Sequence, residues 1–261
     1  MSCFTQDMLI QQRKSHILAV LRRDGQVIAK QLSAELALSE DTIRRDLREL
    51  AHDGLLQRVH GGALPASAAV ADFSGRQQVA PDEKVTIGRA AAAMVQPGQL
   101  VFIDGGTTAV QMARHLDPRL RATVVTHSPS VAMELVPHAG IDVVMIGGRL
   151  FKHSIVSVGA GAVEEIKRIR ADIYFMGVTG IHPEAGLSTG DFEEANIKRT
   201  LLMASAETVV LASSEKLGTA SSYRIASIAD ISTIVVTDKV SAAVLKPYRA
   251  RGIAIVRAAS R

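Results

Sequence analysis

Residues 39–50 read SEDTIRRDLREL, a stretch with the pattern of an amphipathic helix that carries its own N-cap. The Ser39 hydroxyl can accept a hydrogen bond from an amide of the first turn, and the acidic residues that follow it suit the positive end of the helix dipole. Ile43, Leu47 and Leu50 recur at helical spacing, which predicts a buried stripe. The sequence therefore predicts a helix that begins just after Ser39.

The opposite side of this helix is basic. Arginine side chains can bond phosphates or guanine edges, and a threonine near the helix N-terminus can meet a base edge or a thymine methyl group. A solvated charged face would have the same composition, so the helix alone leaves DNA binding and simple solvation open. The residues concerned are Thr42, Arg44, Arg45 and Arg48.

The preceding residues favour DNA binding. Residues 15–21 and 29–36 predict two further helices, and Ala37-Leu38 predicts a short turn into the basic helix. Two helices joined by a short turn, the second one basic and exposed, form the helix-turn-helix pattern.

The following residues predict a wing. Gly54 can end the basic helix in a left-handed conformation, and residues 55–60 predict a short hairpin closed at Gly61-Gly62. Arg58 and His60 would then contact the DNA backbone. A plain turn at the two glycines, leading into a linker, is compatible with the same residues.

Two ordered motifs carry a family resemblance. TIRRDLREL at 42–50 is followed by GLLQRVHGGAL at 54–64, and together they resemble the winged helix-turn-helix of the DeoR/GlpR family of bacterial transcription regulators. In that family the TIRRDL helix reads operator DNA and the RxHGGA run closes the wing. The resemblance implies DNA contacts from Ser39, Thr42, Arg44, Arg45, Arg48, Arg58 and His60.

Composition sets the limits of the fold. With 261 residues, 47% of them hydrophobic, the chain can bury a sizeable core and most naturally forms two domains. Its net charge of +4 favours an anionic partner. Residues 1–62 contain nine Lys/Arg and eight Asp/Glu, so the basic character of this part is local.

Several classes of site and location are excluded. The lone Cys3 excludes a disulfide framework and a cysteine zinc site, and we predict no metal site. The N-terminal residues lack the apolar segment of a signal peptide, and no segment approaches membrane-spanning length. We expect a soluble cytoplasmic protein without a membrane partner.

The chain divides into a winged helix-turn-helix domain (1–62), a linker rich in Ala, Ser and Pro (63–81) and a larger domain (82–261). From residue 82 onward, short apolar strands alternate with helices. This pattern predicts a mainly parallel α/β sheet covered on both faces. In such sheets ligands bind at the carboxyl ends of the strands.

The first such strand end has the composition of an anion site. Residues 104–108, DGGTT, join a predicted strand at 100–103 to a predicted helix at 107–115. Glycines let the backbone approach an anion, threonine hydroxyls donate, and the helix dipole favours negative charge. No Lys-Ser/Thr pair follows, which argues against a nucleotide P-loop and favours a single phosphate. A tight turn capped by Thr107 is an equal alternative.

Other candidate residues converge on the same edge of the sheet. Thr126, His127 and Gly148 follow predicted strands, Lys216 follows another, and Lys84 lies on the first helix of the domain. Lys216 could neutralise a phosphate. Glu194 and Lys198 are spaced i, i+4, so they could bind sugar hydroxyls or pair with each other.

The order DGGTT, VVTHS, GGRL, GVTGI, EEANIKR and SEKLG resembles the effector domain of the DeoR/GlpR family. The resemblance implies a fold related to ribose-5-phosphate isomerase and glucosamine-6-phosphate deaminase, and a phosphorylated sugar as the ligand. His127 stands where the family often has Asn, and Ser213 where it often has Asp, so we expect a changed sugar preference. The predicted effector site comprises Lys84, Asp104, Gly105, Gly106, Thr107, Thr108, Thr126, His127, Gly148, Glu194 and Lys216.

These observations predict a transcriptional repressor controlled by a phosphorylated sugar, acting on operator DNA as a homodimer or homotetramer. The alternative is an isomerase- or deaminase-like enzyme fused to a DNA-binding domain, since Asp104 and Glu194 are available carboxylates. No second acid/base partner stands beside them at clear spacing. We therefore predict no catalytic residue and no cofactor.

Overall fold

The computed structural model describes residues 3–67 and 71–259. Its first part is a small helical unit with a three-stranded antiparallel sheet of order β1-β3-β2. The helices α2 and α3 fall where the sequence predicts them, and α1 extends beyond the predicted 15–21. The elements are α1 (Cys3–Asp24), β1 (Val27–Ile28), α2 (Ala29–Glu35), α3 (Glu40–His52), β2 (Leu56–Val59) and β3 (Gly62–Pro65).

The apolar stripe of α3 lies in the core of this unit. Ile43, Leu47 and Leu50 are at most 2% exposed and pack with Ile17 of α1 and Leu32 of α2. The predicted stripe is confirmed, and it leaves the arginine side of α3 facing outward.

A buried carboxylate of α3 fixes this helix against α1. Asp46 is 2% exposed and accepts from Nε and Nη2 of Arg13, the latter at 2.8 Å. The hydrogen bond that Arg13 donates to Asp46 raises the pKa of Arg13 despite the opposing effect of burial. Since the two residues are 33 positions apart, helical spacing gave no signal for this pair.

The wing forms as predicted, but its second strand is longer. β2 and β3 pair from Leu56↔Pro65 to Val59↔Gly62, and β1 adds a third strand. A Cβ at Gly62 would lie 1.8 Å from the Val27 carbonyl oxygen, so the β1–β3 pairing requires glycine there. Residues 63–65 therefore belong to the wing and not to the linker predicted at 63–81.

The rest of the predicted linker contains a helix, α4 (Phe73–Gln78), capped by the Asp72 side chain. Phe73 is buried in the core of the larger domain, so α4 belongs with that domain. Residues 68–70 of the predicted linker lie outside the described residues. A six-residue helix is too short to show a clear hydrophobic period, which explains why the sequence did not reveal it.

The larger domain is built on a seven-stranded parallel sheet of order β15-β14-β12-β9-β4-β5-β6. This confirms the predicted α/β class. The strands are β4 (Leu100–Ile103), β5 (Ala122–Thr126), β6 (Ile141–Met145), β9 (Ala171–Gly177), β12 (Ser205–Leu211), β14 (Thr233–Thr237) and β15 (Ala254–Ala258).

Helices cover both faces of this sheet. Along β4, Phe102 packs into one core, whereas Val101 and Ile103 pack into the other. This alternation explains why the strands are apolar throughout. The covering helices are α5 (Pro81–Ala92), α6 (Thr107–Arg114), α7 (Pro129–Leu135), α8 (Ala160–Lys167), α9 (Phe192–Met203) and α10 (Ala242–Arg249).

Five short strands were not predicted. A hairpin of β7 and β8 follows β6, and a three-stranded sheet of order β10-β11-β13 follows β9. Strands of three or four residues give too little periodicity to be distinguished from loops. They are β7 (Arg149–Phe151), β8 (Val156–Val158), β10 (Gly180–His182), β11 (Gly186–Thr189) and β13 (Tyr223–Ala226).

The strand order reverses between β4 and β9. From β4 the chain adds β5 and β6 on one side, and from β9 it adds β12, β14 and β15 on the other. The loops after β4 and β9 therefore separate and leave a crevice at their carboxyl ends, where ligands bind in open α/β sheets. No helix of the described residues is both long and apolar enough to cross a membrane.

The Arg13–Asp46 pair should stabilise the DNA-binding unit. We expect Asp46→Ala to lower its free energy of unfolding by about 2 kcal/mol, because a half-buried guanidinium loses its partner. Urea unfolding followed by circular dichroism measures this. Asp24→Ala is the matched control, since Asp24 pairs with Arg23 on the exposed surface. Equal midpoints for the two variants would contradict a structural role for Asp46.

Candidate DNA-binding surface and effector site

The N-terminus of α3 is capped as the sequence predicts. Ser39 Oγ accepts from the Thr42 amide at 3.2 Å and lies 2.9 Å from Thr42 Oγ1. The two hydroxyls are hydrogen-bonded to each other at the first turn of the helix. The predicted cap is confirmed, and Thr42 lies at the end of the helix that enters a groove in helix-turn-helix proteins.

The exposed arginines of this unit differ in their partners. Arg44 pairs with Glu40 at 2.7 Å and lies 3.9 Å from Asp41. Arg45 and Arg48 are exposed on α3, and neither guanidinium is bonded to another described residue. The latter two are therefore free to bind an external acceptor. A contact from Arg44 would compete with its acidic neighbours.

The wing places its two predicted residues on the surface. Arg58 lies on β2 and His60 in the turn before β3, and both are exposed. Their contacts with DNA stay a prediction.

In the larger domain, Asp104 ties together the two sides of the crevice. This fully buried carboxylate accepts from the amides of Gly105 and Gly177, both at 2.8 Å. It also accepts from Lys198 Nζ at 2.5 Å and lies 2.8 Å from His127 Nε2. Because Gly105 follows β4 and Gly177 ends β9, one side chain holds both strand ends.

The charges of this cluster compensate one another. Burial acts to raise the pKa of Asp104, but Lys198 and His127 outweigh it and hold the pKa well below its usual range. Burial likewise acts to lower the pKa of Lys198, and the carboxylates of Asp104 and Glu194 raise it above its usual value. Asp104 and Lys198 are therefore a permanently charged pair.

The loop after Asp104 forms one wall of a cavity of about 40 Å³. A Cβ at Gly105 would lie 2.2 Å from Val156, and Gly106 has φ +106°, so neither position suits another residue. Thr108 is 4% exposed, and its hydroxyl has no partner among the described residues. With the free amides at the start of α6, this hydroxyl is available to an anion.

Besides Lys198, three further cations line the same cavity: Arg76, Lys84 and Lys216. Burial lowers the pKa of each, and that of Lys216 falls to about 8. The Glu215 carboxylate partly offsets the effect on Lys216, whereas Lys84 and Arg76 add to it. An anionic ligand would relieve this repulsion.

Seven of the predicted effector residues line the cavity. Four others do not: Asp104 and His127 lie behind the wall, Thr126 Oγ1 accepts from the Ser128 amide, and Gly148 lies against β8. The His127 ring nitrogens are taken up by Asp104 and the Ser157 carbonyl. Asp104 and His127 thus support the loop from behind, whereas Thr126 and Gly148 make other contacts. The lining residues are Lys84, Gly105, Gly106, Thr107, Thr108, Glu194 and Lys216.

Sequence reasoning missed several lining residues. Arg76 comes from α4, inside the stretch interpreted as linker, and it donates to Ser154 at 3.2 Å. Thr179 follows β9 and Ser154 follows β7. Only Thr179, inside the GVTGI run after a predicted strand, carried a usable signal. Glu194 pairs with Lys198 at 3.3 Å, which realises one of the two alternatives considered for them.

Comparison with known proteins assigns both parts of the chain. Residues 13–68 match the family model of the DeoR-like helix-turn-helix domain, and residues 79–239 match that of the DeoR C terminal sensor domain. The chain belongs to the DeoR family.

Two curated relatives extend over most of the chain. It is 31% identical to the HTH-type transcriptional regulator GlpR of Haloferax volcanii over 97% of this chain and 100% of that protein. It is also 31% identical to the HTH-type transcriptional repressor GlcR of Bacillus subtilis over 89% of this chain and 90% of that protein.

Among solved structures, ribose 5-phosphate isomerase A of Methanocaldococcus jannaschii matches 52% of this chain and 54% of that one, with 19% identity and a TM-score of 0.39.

The residues described here contain no group of three or more His, Cys, Asp or Glu side chains that could hold a metal ion.

Arg45 should carry DNA affinity. We expect Arg45→Ala to weaken binding to DNA from upstream of the reading frame by about tenfold, the effect of losing one good base or phosphate contact. Fluorescence anisotropy at several salt concentrations measures this and also shows whether the salt dependence falls. The matched control is Arg119→Ala, an exposed arginine of the larger domain. Unchanged affinity in Arg45→Ala would remove its assigned role.

Proposed function

We propose that this DeoR-family chain is a transcriptional repressor whose DNA binding is controlled by a phosphorylated sugar. The observation that carries the proposal is the pair of buried lysines, Lys84 and Lys216, with the half-buried Arg76, around a glycine loop at a helix N-terminus. The same chain presents free arginines on a helix-turn-helix. The printed name of the relative GlcR, a transcriptional repressor, supports repression as the mode of action.

A phosphate monoester fits the chemistry of the cavity. Its dianion would be bonded by the amides that open α6 and by the unpartnered hydroxyl of Thr108. Lys84 and Lys216 would supply the opposite charge. Because burial disfavours both ammonium groups, a phosphate stabilises them more than it would stabilise exposed lysines.

The enzyme alternative finds less support. An isomerase or deaminase needs a carboxylate that can take a proton. Asp104 is bonded by four donors, and its pKa is well below the usual range. Glu194 accepts from Ser154 at 3.3 Å and pairs with Lys198. These contacts favour binding roles, and both relatives described above are named as transcription regulators.

Two short connections join the effector site to the wing. The loop that begins with Lys216 reaches Ala220, whose amide donates at 3.4 Å to the carbonyl of Pro65, the last residue of β3. Ser67 Oγ donates to the Thr179 carbonyl at 2.5 Å, and Thr179 lines the cavity. A ligand that shifts either loop therefore acts on the segment that leaves the wing.

Control then follows from linkage. A sugar phosphate that binds one arrangement of these loops more tightly shifts the population toward it and away from the DNA-competent geometry. We further propose that a homodimer or homotetramer presents paired α3 helices to half-sites about one helical turn of DNA apart or a multiple of it.

The Lys216 ammonium should set effector affinity. We expect Lys216→Met to weaken the effect of sugar monophosphates on operator binding by at least about tenfold and to leave DNA affinity without effector unchanged. Anisotropy titrations with phosphorylated sugars and their unphosphorylated parents measure both quantities.

The pH dependence provides the internal control. Since the pKa of Lys216 is about 8, the ammonium is present below that pH and lost above it. Effector affinity of the unmodified chain should therefore fall between pH 8 and 10. Lys84, whose pKa is also lowered, leaves a shallower dependence in Lys216→Met. Equal pH profiles and equal effector response in the two proteins would refute the phosphate site.

The Ser67–Thr179 contact should transmit the signal. We expect Ser67→Ala to reduce the ratio of DNA affinities without and with effector by at least about threefold, because loss of one buried hydrogen bond costs about 1 kcal/mol. Ser232→Ala is the matched control, since Ser232 Oγ also donates to a backbone carbonyl, that of Thr208 at 2.9 Å. If the ratio of DNA affinities without and with effector were unchanged in both variants, the Ser67–Thr179 contact would not couple the effector site to the wing.

A further inference from the structure

A second compartment opens beside the phosphate cavity. It has a volume of about 120 Å³. Arg76, Thr179 and Glu194 line both spaces, so the two are adjoining parts of one site. A ligand bound by its phosphate in the first cavity would extend into the second.

The outer wall of this compartment is aromatic. The rings of Phe151 and His153 are stacked, with centroids 5.6 Å apart and planes at 19°. The wall is anchored to the effector domain because the Phe73 amide donates to the His153 carbonyl at 2.8 Å. The flat, apolar ring of Phe151 suits the C–H face of a sugar and offers no hydrogen-bond donor to an anion.

The inner side of the compartment carries acceptors, and Arg76 lies where it adjoins the phosphate cavity. Asp191 and Glu194 both line it. One oxygen of Asp191 caps α9 by accepting from the Glu194 amide at 2.9 Å, which leaves the other to a ligand. Thr179 and Thr189, with hydroxyls 3.4 Å apart, complete this side. Carboxylates accept from hydroxyl groups and repel a second phosphate or carboxylate.

We propose that the effector is a monophosphorylated pentose or hexose whose uncharged, hydroxylated end occupies this second compartment, over Phe151 and against the carboxylates of Asp191 and Glu194. The inference rests on the proposed function, because it assumes that the phosphate binds at the loop after Asp104. It excludes sugar bisphosphates and phosphorylated sugar acids as preferred ligands. A three-carbon phosphate would leave the compartment to water.

Calorimetry on the full chain tests this. The probes are inorganic phosphate, glycerol 3-phosphate, ribose 5-phosphate, glucose 6-phosphate, fructose 6-phosphate and fructose 1,6-bisphosphate. We expect at least one of the three sugar monophosphates to bind about tenfold more tightly than inorganic phosphate, glycerol 3-phosphate or the bisphosphate. This corresponds to about one additional hydrogen bond and one ring contact.

Two variants should remove this preference. Phe151→Ala is expected to weaken sugar monophosphate binding by about threefold to tenfold, the usual contribution of one aromatic contact, and to leave inorganic phosphate binding unchanged. Asp191→Asn keeps the shape of the side chain and the helix cap. It should lower the affinity for the sugar monophosphate and reduce the ratio of that affinity to the affinity for the bisphosphate. Phe192→Ala is the matched control, because this neighbouring ring is 59% exposed and packs on Tyr223.

The outcomes separate the two proposals. If inorganic phosphate binds and Lys216→Met abolishes its binding, but no sugar monophosphate binds more tightly, the second-compartment proposal is overturned and the phosphate site stands. The second-compartment proposal would also be overturned if the bisphosphate bound more tightly than every other probe. The same holds if Phe151→Ala and Phe192→Ala lost equal affinity for the sugar monophosphate. If no phosphate-bearing probe binds, both proposals fail.

Discussion

The carboxylate of Asp104 joins the two halves of the effector domain at the point where the strand order of the parallel sheet reverses, between β4 and β9. The loops after β4 and β9 diverge there, and a gap between two strand ends would otherwise expose unpaired amides. Asp104 closes the gap by bonding an amide from each side, Gly105 and Gly177. Its negative charge is tolerated in the interior because Lys198 and His127 face it. The phosphate loop therefore has a fixed shape before any ligand arrives, which lowers the entropic cost of binding.

The same arrangement divides the lysines of the site into one that is paired with carboxylates, Lys198, and two that are available to a ligand, Lys84 and Lys216. Lys198 is committed to Asp104 and Glu194, so it adds little to the attraction for a phosphate. Among the described residues, no carboxylate lies within salt-bridge distance of Lys84 or Lys216, although Glu215 favours the charged form of both. A buried cation without a close partner destabilises the protein until an anion binds. Under the proposed function, effector binding is coupled to the segments that carry these lysines, and the loop after Lys216 also bonds the last residue of β3 in the wing.

Most helices and strands could be predicted from patterns among neighbouring residues. The features that were not predicted depend mainly on contacts between residues distant in the sequence. The cap at Ser39, the stripe of α3 and the loop at residues 104–108 depend on neighbours within a few residues, and each appears where it was predicted. The Arg13–Asp46 pair and the burial of His127 against Asp104 depend on how distant elements pack. No spacing rule along one element reveals them. The β7–β8 hairpin and α4 were missed because their short apolar patterns resemble loops.

The two departures from the family pattern can now be located. Ser213 is fully buried and donates to Glu215 Oε1 at 2.7 Å, so the carboxylate on this loop comes from Glu215, two residues later. His127 bonds Asp104 behind the loop and does not line either compartment. Both changes therefore act on the frame of the phosphate end. The groups that can distinguish one sugar from another lie in the second compartment, on β7, the β7–β8 turn and the start of α9. Because Phe151 and His153 lie on a short hairpin outside the main sheet and Asp191 precedes α9, these three residues can change without removing a partner of Asp104. Sugar preference can therefore diverge while the phosphate site keeps its shape.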